Sequence, residues 1–290
     1  MRQFFPVEEL ARDERFHKIT MRDRMEDARA GRGIPNADQR RRATSRLTPE
    51  RRDASDAARA LMHGIFVGEI QALEGAGRTC WDFPVGDTGS DRAPFALKLD
   101  MARQCWDEAR HVEISVKLAQ WMGTEIGQYA ENTVLFEAAC SPDPVLRLAG
   151  VNRALEGLAI DVFTTMKEFG DMAGDPFLEF CEDWMLADEV THVKMGSDWL
   201  RRLTEHDPER RTRALEFQSV VDKLFSYGGL RSDSPESVFG LARRFRELAG
   251  FSEDEIEEIA EIANTALAEG KARRARIRAE LAETVSAAEG

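Results

Sequence analysis

The feature that most narrows what this chain can fold into is a five-residue motif used twice. Residues 107–111 read DEARH and residues 188–192 read DEVTH, so two of only five histidines stand three residues after a glutamate, each time inside a long stretch of helical periodicity. In a helix, positions i and i+3 lie roughly 60° apart around the axis and one turn apart along it. Glu108 with His111, and Glu189 with His192, can therefore each aim a carboxylate oxygen and an imidazole nitrogen at one point. A hard oxygen beside a borderline nitrogen suits iron or manganese better than calcium or a structural zinc.

Two further glutamates supply what these clamps lack. Glu69 interrupts the apolar run GIFVGEIQAL, and Glu156 interrupts ALEGLAIDVF. A bare carboxylate in such surroundings is costly unless a cation neutralises it. The order is also periodic: Glu108 follows Glu69 by 39 residues and Glu189 follows Glu156 by 33, as if one helix pair were used twice. Four carboxylates balance two divalent cations, so a loaded site would be neutral in a dry core. Asp107 and Asp188, each next to a candidate ligand, could accept the free N–H of the opposite histidine, Asp107 from His192 and Asp188 from His111.

The surrounding pattern is helical. The sequence predicts one helix from about Ala57 to Gly77, capped by Ser55 or Asp56, and a second that opens at Pro94 and continues to about Met122. Two more open at Pro144 and Pro176 and reach about Phe169 and Leu203. TCWDFPVGDTGSDRAP reads as an ordered loop, and TEIGQYAENTVLFEAA as a further helical stretch. Beyond them come PERRTRALEFQSVVDKLF, SPESVFGLARRFRELAG and a charged segment from Phe251, where Ser252 and Glu255 form an S-x-x-E capping box. No strand-like alternation of useful length is present, which makes the fold class all-α, with four long helices suited to an antiparallel bundle. The division expected is an N-terminal helical arm over 1–54, the bundle over 55–205 and a helical extension over 206–290.

Composition removes several function classes. A hydrophobic share of 42% and a charged share of 32% fit a helical globular chain. No run approaches the roughly 18–20 apolar residues of a membrane span, and the N-terminus lacks a secretory pattern, so the expected location is the cytoplasm. Cys80, Cys105, Cys140 and Cys181 form no C-x-x-C and read as reduced, mostly buried thiols. A net charge of −13 argues against general nucleic-acid binding. The basic cluster Arg40, Arg41, Arg42, Arg51 and Arg52 leaves open a solvated arm lying on an acidic body or a contact with an anionic partner.

Several residues near the motifs have bland roles open to them. His63 lies about 120° around the helix from Glu69, while His17 and His206 stand in charged surroundings and read as surface residues. Gln104, Cys105, Asn152 and Arg153, one turn before Glu108 or Glu156, could line a pocket beside the site, but read first as core or ion-pair residues. Phe66, Ile160, Phe163, Met185 and Met195 read as core, and Trp106 and Trp184 as packing residues.

Taken in order, Glu69, DEARH, Glu156 and DEVTH on four successive helices resemble the di-iron carboxylate branch of the ferritin-like superfamily, over about residues 55–205. DEARH, with Arg110 before the histidine, is similar to the variant found in bacterial multicomponent monooxygenases and acyl-carrier-protein desaturases. The resemblance implies a ferritin-like four-helix bundle with additional N- and C-terminal helices, in which Glu69, Glu108, His111, Glu156, Glu189 and His192 hold two irons, Fe/Fe or Mn/Fe, with Glu108 and Glu189 as bridges. It implies O2-dependent hydroxylation, desaturation or N-oxygenation of a small molecule, with a ferredoxin- or flavin-type reductase as electron donor; a homodimer is expected only because acidic helical proteins often dimerise. The alternatives are a ferroxidase or iron-handling protein and a tRNA-modifying hydroxylase. Leu73 occupies the place of the tyrosine of radical-generating reductase subunits, and the lack of C-x-x-C speaks against a rubrerythrin-like peroxidase.

Overall fold

The computed structural model describes residues 14, 16, 18–20, 23, 26, 56–226 and 240–288. The Arg40–Arg52 cluster, His17, Ser55 and residues 234–239 lie outside them. Four long helical stretches dominate: α1 (Asp56–Asp82), α2 (Phe95–Trp121), a third assembled from α4 (Pro144–Arg147), a π-helical segment (Leu148–Leu155) and α5 (Glu156–Ala173), and α6 (Pro176–Leu203). The short α3 (Val134–Ala139) precedes the third stretch, and α7 (Pro208–Ser226), α8 (Arg243–Leu248) and α9 (Glu253–Ala288) follow the fourth. No helix among the described residues is long and apolar enough to cross a membrane.

Starts and stops follow local chemistry. Pro144 and Pro176 sit in the first turns of their helices, behind Asp143 and Asp175, whose carboxylates accept the free backbone N–H groups of Val145 and of Phe177 and Leu178. Gly174, in the left-handed region at φ 62°, ends α5. The Ser252–Glu255 capping box is formed, with Glu255 Oε2 accepting from Ser252 N and Ser252 Oγ accepting from Glu255 N.

Neighbouring stretches run antiparallel. Along α1 and α2, Arg59 neighbours Gly123, Glu69 neighbours His111 and Cys80 neighbours Lys98. Along α2 and α6, Asp100 meets Trp199 and Asp107 meets His192. Along the third stretch and α6, Asn152 packs on Gly196 and Lys167 pairs with Asp183. All four stretches contribute to one apolar cluster that includes Met62, Leu118, Ile160, Phe163, Met185 and Val193, and Phe251, Ile256 and Ile259 at the start of the C-terminal helix join it. A second cluster joins the third stretch to α7 through Leu146, Ala149, Phe217 and Val221.

Four local expectations change. In the stretch TEIGQYAENTVLFEAA only Val134–Ala139 is helical, because Gly127 turns the chain at φ 80° and Glu131–Asn132 form β2, paired in parallel with β1 (Lys18–Ile19). The first helix runs past Gly77 to Asp82, taking the first residues of the expected loop. In SPESVFGLARRFRELAG, residues 240–242 are not helical, and Ala242 N–H donates instead to Asp161 Oδ1 at 2.8 Å. Inside the third stretch the hydrogen bonding slips to the π pattern. Gly150 lies so close to Phe217 that a Cβ there would come within 2.4 Å of Cε1, so α7 presses directly on the widened turn.

Candidate metal centre

Glu69 comes from α1, Glu108 and His111 from α2, Glu156 from the first residue of α5, and Glu189 and His192 from α6. The structure brings all six together, and all six are buried. They form two overlapping quartets: Glu69, Glu108, His111 and Glu189; and Glu108, Glu156, Glu189 and His192. Within each, the possible ligand atoms lie within 4.8 Å of one another, and Glu108 and Glu189 belong to both.

Both imidazoles turn the same atom inward. His111 Nδ1 lies 3.1 Å from Glu69 Oε2, 3.2 Å from Glu108 Oε2 and 3.3 Å from Glu189 Oε1. His192 Nδ1 lies 3.1 Å from Glu108 Oε1. The outer nitrogens cross to the opposite motif, His111 Nε2 to Asp188 Oδ2 at 3.2 Å and His192 Nε2 to Asp107 Oδ2 at 3.3 Å. Such contacts fix the ring orientation and leave Nδ1 for the interior. Arg110 ties the arrangement shut: it pairs with both Asp107 and Asp188, and its guanidinium lies 4.6 Å over the Trp184 ring.

Without a cation, the electrostatics of the cluster are those of six ionisable groups sharing a dry space. Burial, reinforced by the charges of neighbouring glutamates, pushes the Glu69 and Glu156 carboxyls well above their ordinary range. Burial acts in the same sense on Glu108, but His192 and His111 outweigh it and hold its carboxyl low. Glu189 is likewise held low against burial, through Glu156, His111 and His192. Against desolvation, the surrounding carboxylates hold both His111 and His192 in the protonated form. Protons are thus drawn to the imidazoles and to Glu69 and Glu156, while Glu108 and Glu189 are held as carboxylates. Two divalent cations would balance the same cluster with four carboxylates and two neutral imidazoles.

The donor set fits such ions. Glu108 Oε2, both Glu189 oxygens and His192 Nδ1 are buried and satisfied by no hydrogen bond, as expected of atoms whose partner is a cation. These buried Glu and His groups could hold metal ions.

Gln104 and Asn152, read from sequence as core, ion-pair or pocket residues, join the cluster, and Glu182 was missed. Gln104 Nε2 donates to Glu108 Oε1 at 3.1 Å and Glu156 Oε1 at 3.0 Å, and Asn152, from the π segment, holds Gln104 through a 2.7 Å bond to its Oε1. Glu182 is fully buried on α6, seven residues before Glu189, and neither of its oxygens finds a partner. Burial raises its carboxyl to about 8, with His111 pulling weakly the other way. The seven-residue spacing is the one sequence signal that could have marked Glu182, since i and i+7 share a helix face.

Other residues settle outside the cluster. His63 is buried and accepts the Gly127 N–H at 3.0 Å, facing Phe66 and Tyr129. Arg153 turns away to Ser197, Gln218 and Glu255. His206 is exposed. Ile160, Phe163 and Met185 are core and Met195 is half-buried, whereas Trp106, expected to pack, is 66% exposed. Phe163 and Trp184 stand edge-on to His111.

Between α1 and the third stretch lies an apolar cavity of about 120 Å³. Ile65, Gly68, Ala72, Leu158, Ala159 and Val162 line it, and Glu69 and Glu156 stand in its wall. A Cβ at Gly68 would meet no atom within 4 Å, so the slot is open there.

A family model described as "Protein of unknown function (DUF455)" matches residues 3–257, and the chain belongs to that family. No curated protein and no solved structure matches the chain.

Proposed function

We propose that the chain is a ferritin-like, non-haem di-iron enzyme that activates O2 to oxidise a small organic substrate by hydroxylation, desaturation or N-oxygenation. The observation that carries this reading is the pair of inward-facing imidazole nitrogens meeting four buried carboxylates, with Glu108 and Glu189 common to both quartets. Glu69 and His111 would hold one iron and Glu156 and His192 the other, with Glu108 and Glu189 bridging. A manganese–iron pair suits the same donors. Bound in the reduced state, the metal pair would supply electrons and open coordination positions for O2.

The chain's own part is to hold, orient and enclose. Asp107 and Asp188 keep the imidazoles in the tautomer that offers Nδ1 to the interior. Gln104 positions Glu108 and Glu156 through its amide. The apolar slot brings an uncharged substrate to the Glu69 and Glu156 side and keeps bulk water from the reacting atoms. It also favours an oxidising enzyme over iron handling, which needs a polar path for ions. An external electron donor of the ferredoxin- or flavin-reductase type would return the pair to the reduced state between turnovers.

The test is to load the chain anaerobically with Fe(II), mix it with O2 and follow iron content and products from a panel of apolar substrates. The expected result is two irons per chain, consumption of O2 and an oxidised product. Iron accumulating far beyond two per chain, with no organic product, would replace this reading with iron storage. Gly68→Phe is expected to keep both irons and lose turnover of the bulkier substrates, since the added ring fills the slot.

A further inference from the structure

The two overlapping quartets are not built alike. In the one that carries His192, a single amide braces two of the carboxylates: Gln104 Nε2 donates to Glu108 Oε1 at 3.1 Å and to Glu156 Oε1 at 3.0 Å. The amide is held from behind, because Gln104 Oε1 accepts from Asn152 Nδ2 at 2.7 Å. Asn152 is in turn wedged against α6, where a Cβ at Gly196 would come within 2.5 Å of the Asn152 Cβ. Gln104 and Asn152 are both buried, so bulk water does not compete for these bonds. His192 Nδ1, the inward imidazole nitrogen of this quartet, makes no hydrogen bond. The His111 quartet shares Glu108, but among the described residues no amide braces the carboxylate that is its own. Glu69 Oε2 instead pairs with His111 Nδ1 at 3.1 Å, so two ligand atoms of that quartet hold each other. Glu69 also stands in the wall of the apolar slot, beside Gly68, whose Cβ position has no atom within 4 Å.

We propose that the two metal positions are unequal and fill in order. The Gln104–Asn152 brace presets the position formed by Glu108, Glu156, Glu189 and His192, which takes the first divalent cation and holds it more tightly. The position formed by Glu69, Glu108, Glu189 and His111 fills second. This inference rests on the paired-metal reading of the cluster and not on its O2 chemistry.

The physical difference is one of reorganisation. An ion entering the His192 position meets two carboxylates already set by one amide and an imidazole nitrogen free of hydrogen bonds. An ion entering the His111 position has first to part Glu69 from His111. Ligands held in place before binding lose less freedom when the ion arrives, and the affinity rises accordingly. Gln104 and Asn152 are positioning residues here: they act through Glu108 and Glu156 and need not touch the metal.

The test titrates the full-length chain with Mn(II) and follows the free ion by electron paramagnetic resonance. The wild type should bind two ions in separable phases, the first tighter by about tenfold or more. Glu69→Ala should keep the tight ion and lose the weak one, and Glu156→Ala should do the reverse. Gln104→Leu should weaken the tight phase by about 10–100-fold and leave the weak phase near its wild-type value, so that the two merge. Asn152→Ala keeps Gln104 but frees its amide, and should move the tight phase the same way by less. A purely structural role for Gln104 would weaken both phases alike, and that result would overturn the proposal. Two equal ions in the wild type, or a tight ion that survives Glu156→Ala and is lost in Glu69→Ala, would overturn it as well while leaving the paired centre standing. Fewer than two ions bound to the wild type would overturn the paired-metal reading and this proposal with it.

Discussion

Glu182 holds its proton more tightly in the folded chain than in the unfolded one, because burial moves its carboxyl from an ordinary 4.5 to about 8. The stability linked to this group is therefore complete below about pH 4.5 and is lost as pH rises through 8, a loss on the order of 5 kcal/mol at the alkaline end. Glu182→Gln keeps the shape and removes the titration. Denaturant midpoints should match the wild type at about pH 5 and exceed it at about pH 8.5; equal midpoints at both would show that Glu182 is not held neutral. The orienting aspartates act on affinity instead. Asp107→Ala should weaken metal binding by about 10–100-fold while the helical circular-dichroism signal is retained, and unchanged affinity would remove Asp107 from the account. The positions of Glu69, Glu108, His111, Glu156, Glu189 and His192 were legible in the sequence because ligand spacing and helical spacing coincide. Gln104 was legible only as a core or pocket residue one turn before Glu108, and Glu182 not at all, since a buried polar residue declares its role only through its partners or the lack of them.

The long helices were readable from their prolines, caps and apolar stripes, but their interruptions were not. The π segment before Glu156 packs its Gly150 against Phe217 from a helix more than sixty residues later, a contact between elements that no local pattern contains. The β1–β2 pairing has the same character, with two residues on each side. A buried ion pair joins α8 to α5: Arg246 holds Asp161 at 2.6 Å beside the Gly157 carbonyl, one residue past Glu156. A Cβ at Gly157 would come within 2.9 Å of the Arg246 guanidinium, so the glycine is what admits it. Asp161→Ala should cost about 3–5 kcal/mol by stranding a buried guanidinium. Adding Arg246→Met should recover much of that loss in chemical denaturation. A double variant no more stable than the single one would mean that the pair matters for more than its charge.

For the molecule as a whole, the metal-free and metal-loaded chains are alternative ways of neutralising one buried cluster. Both histidines and the Glu69 and Glu156 carboxyls, all shifted toward holding protons, have to give them up when two divalent cations enter. Metal binding should therefore release protons and weaken steeply as pH falls, measurable with an indicator dye in weak buffer; binding without proton release would contradict this. It should also raise the unfolding temperature, because the ions bind only the assembled site. The most direct test of the central claim is the metal content of the chain after anaerobic Fe(II) loading and removal of free iron, for the wild type and for Glu108→Ala. The account predicts two irons per wild-type chain and a loss at both positions in the variant, since Glu108 belongs to both quartets. A wild-type chain that retains one iron or none, or a variant that still holds two, would contradict it.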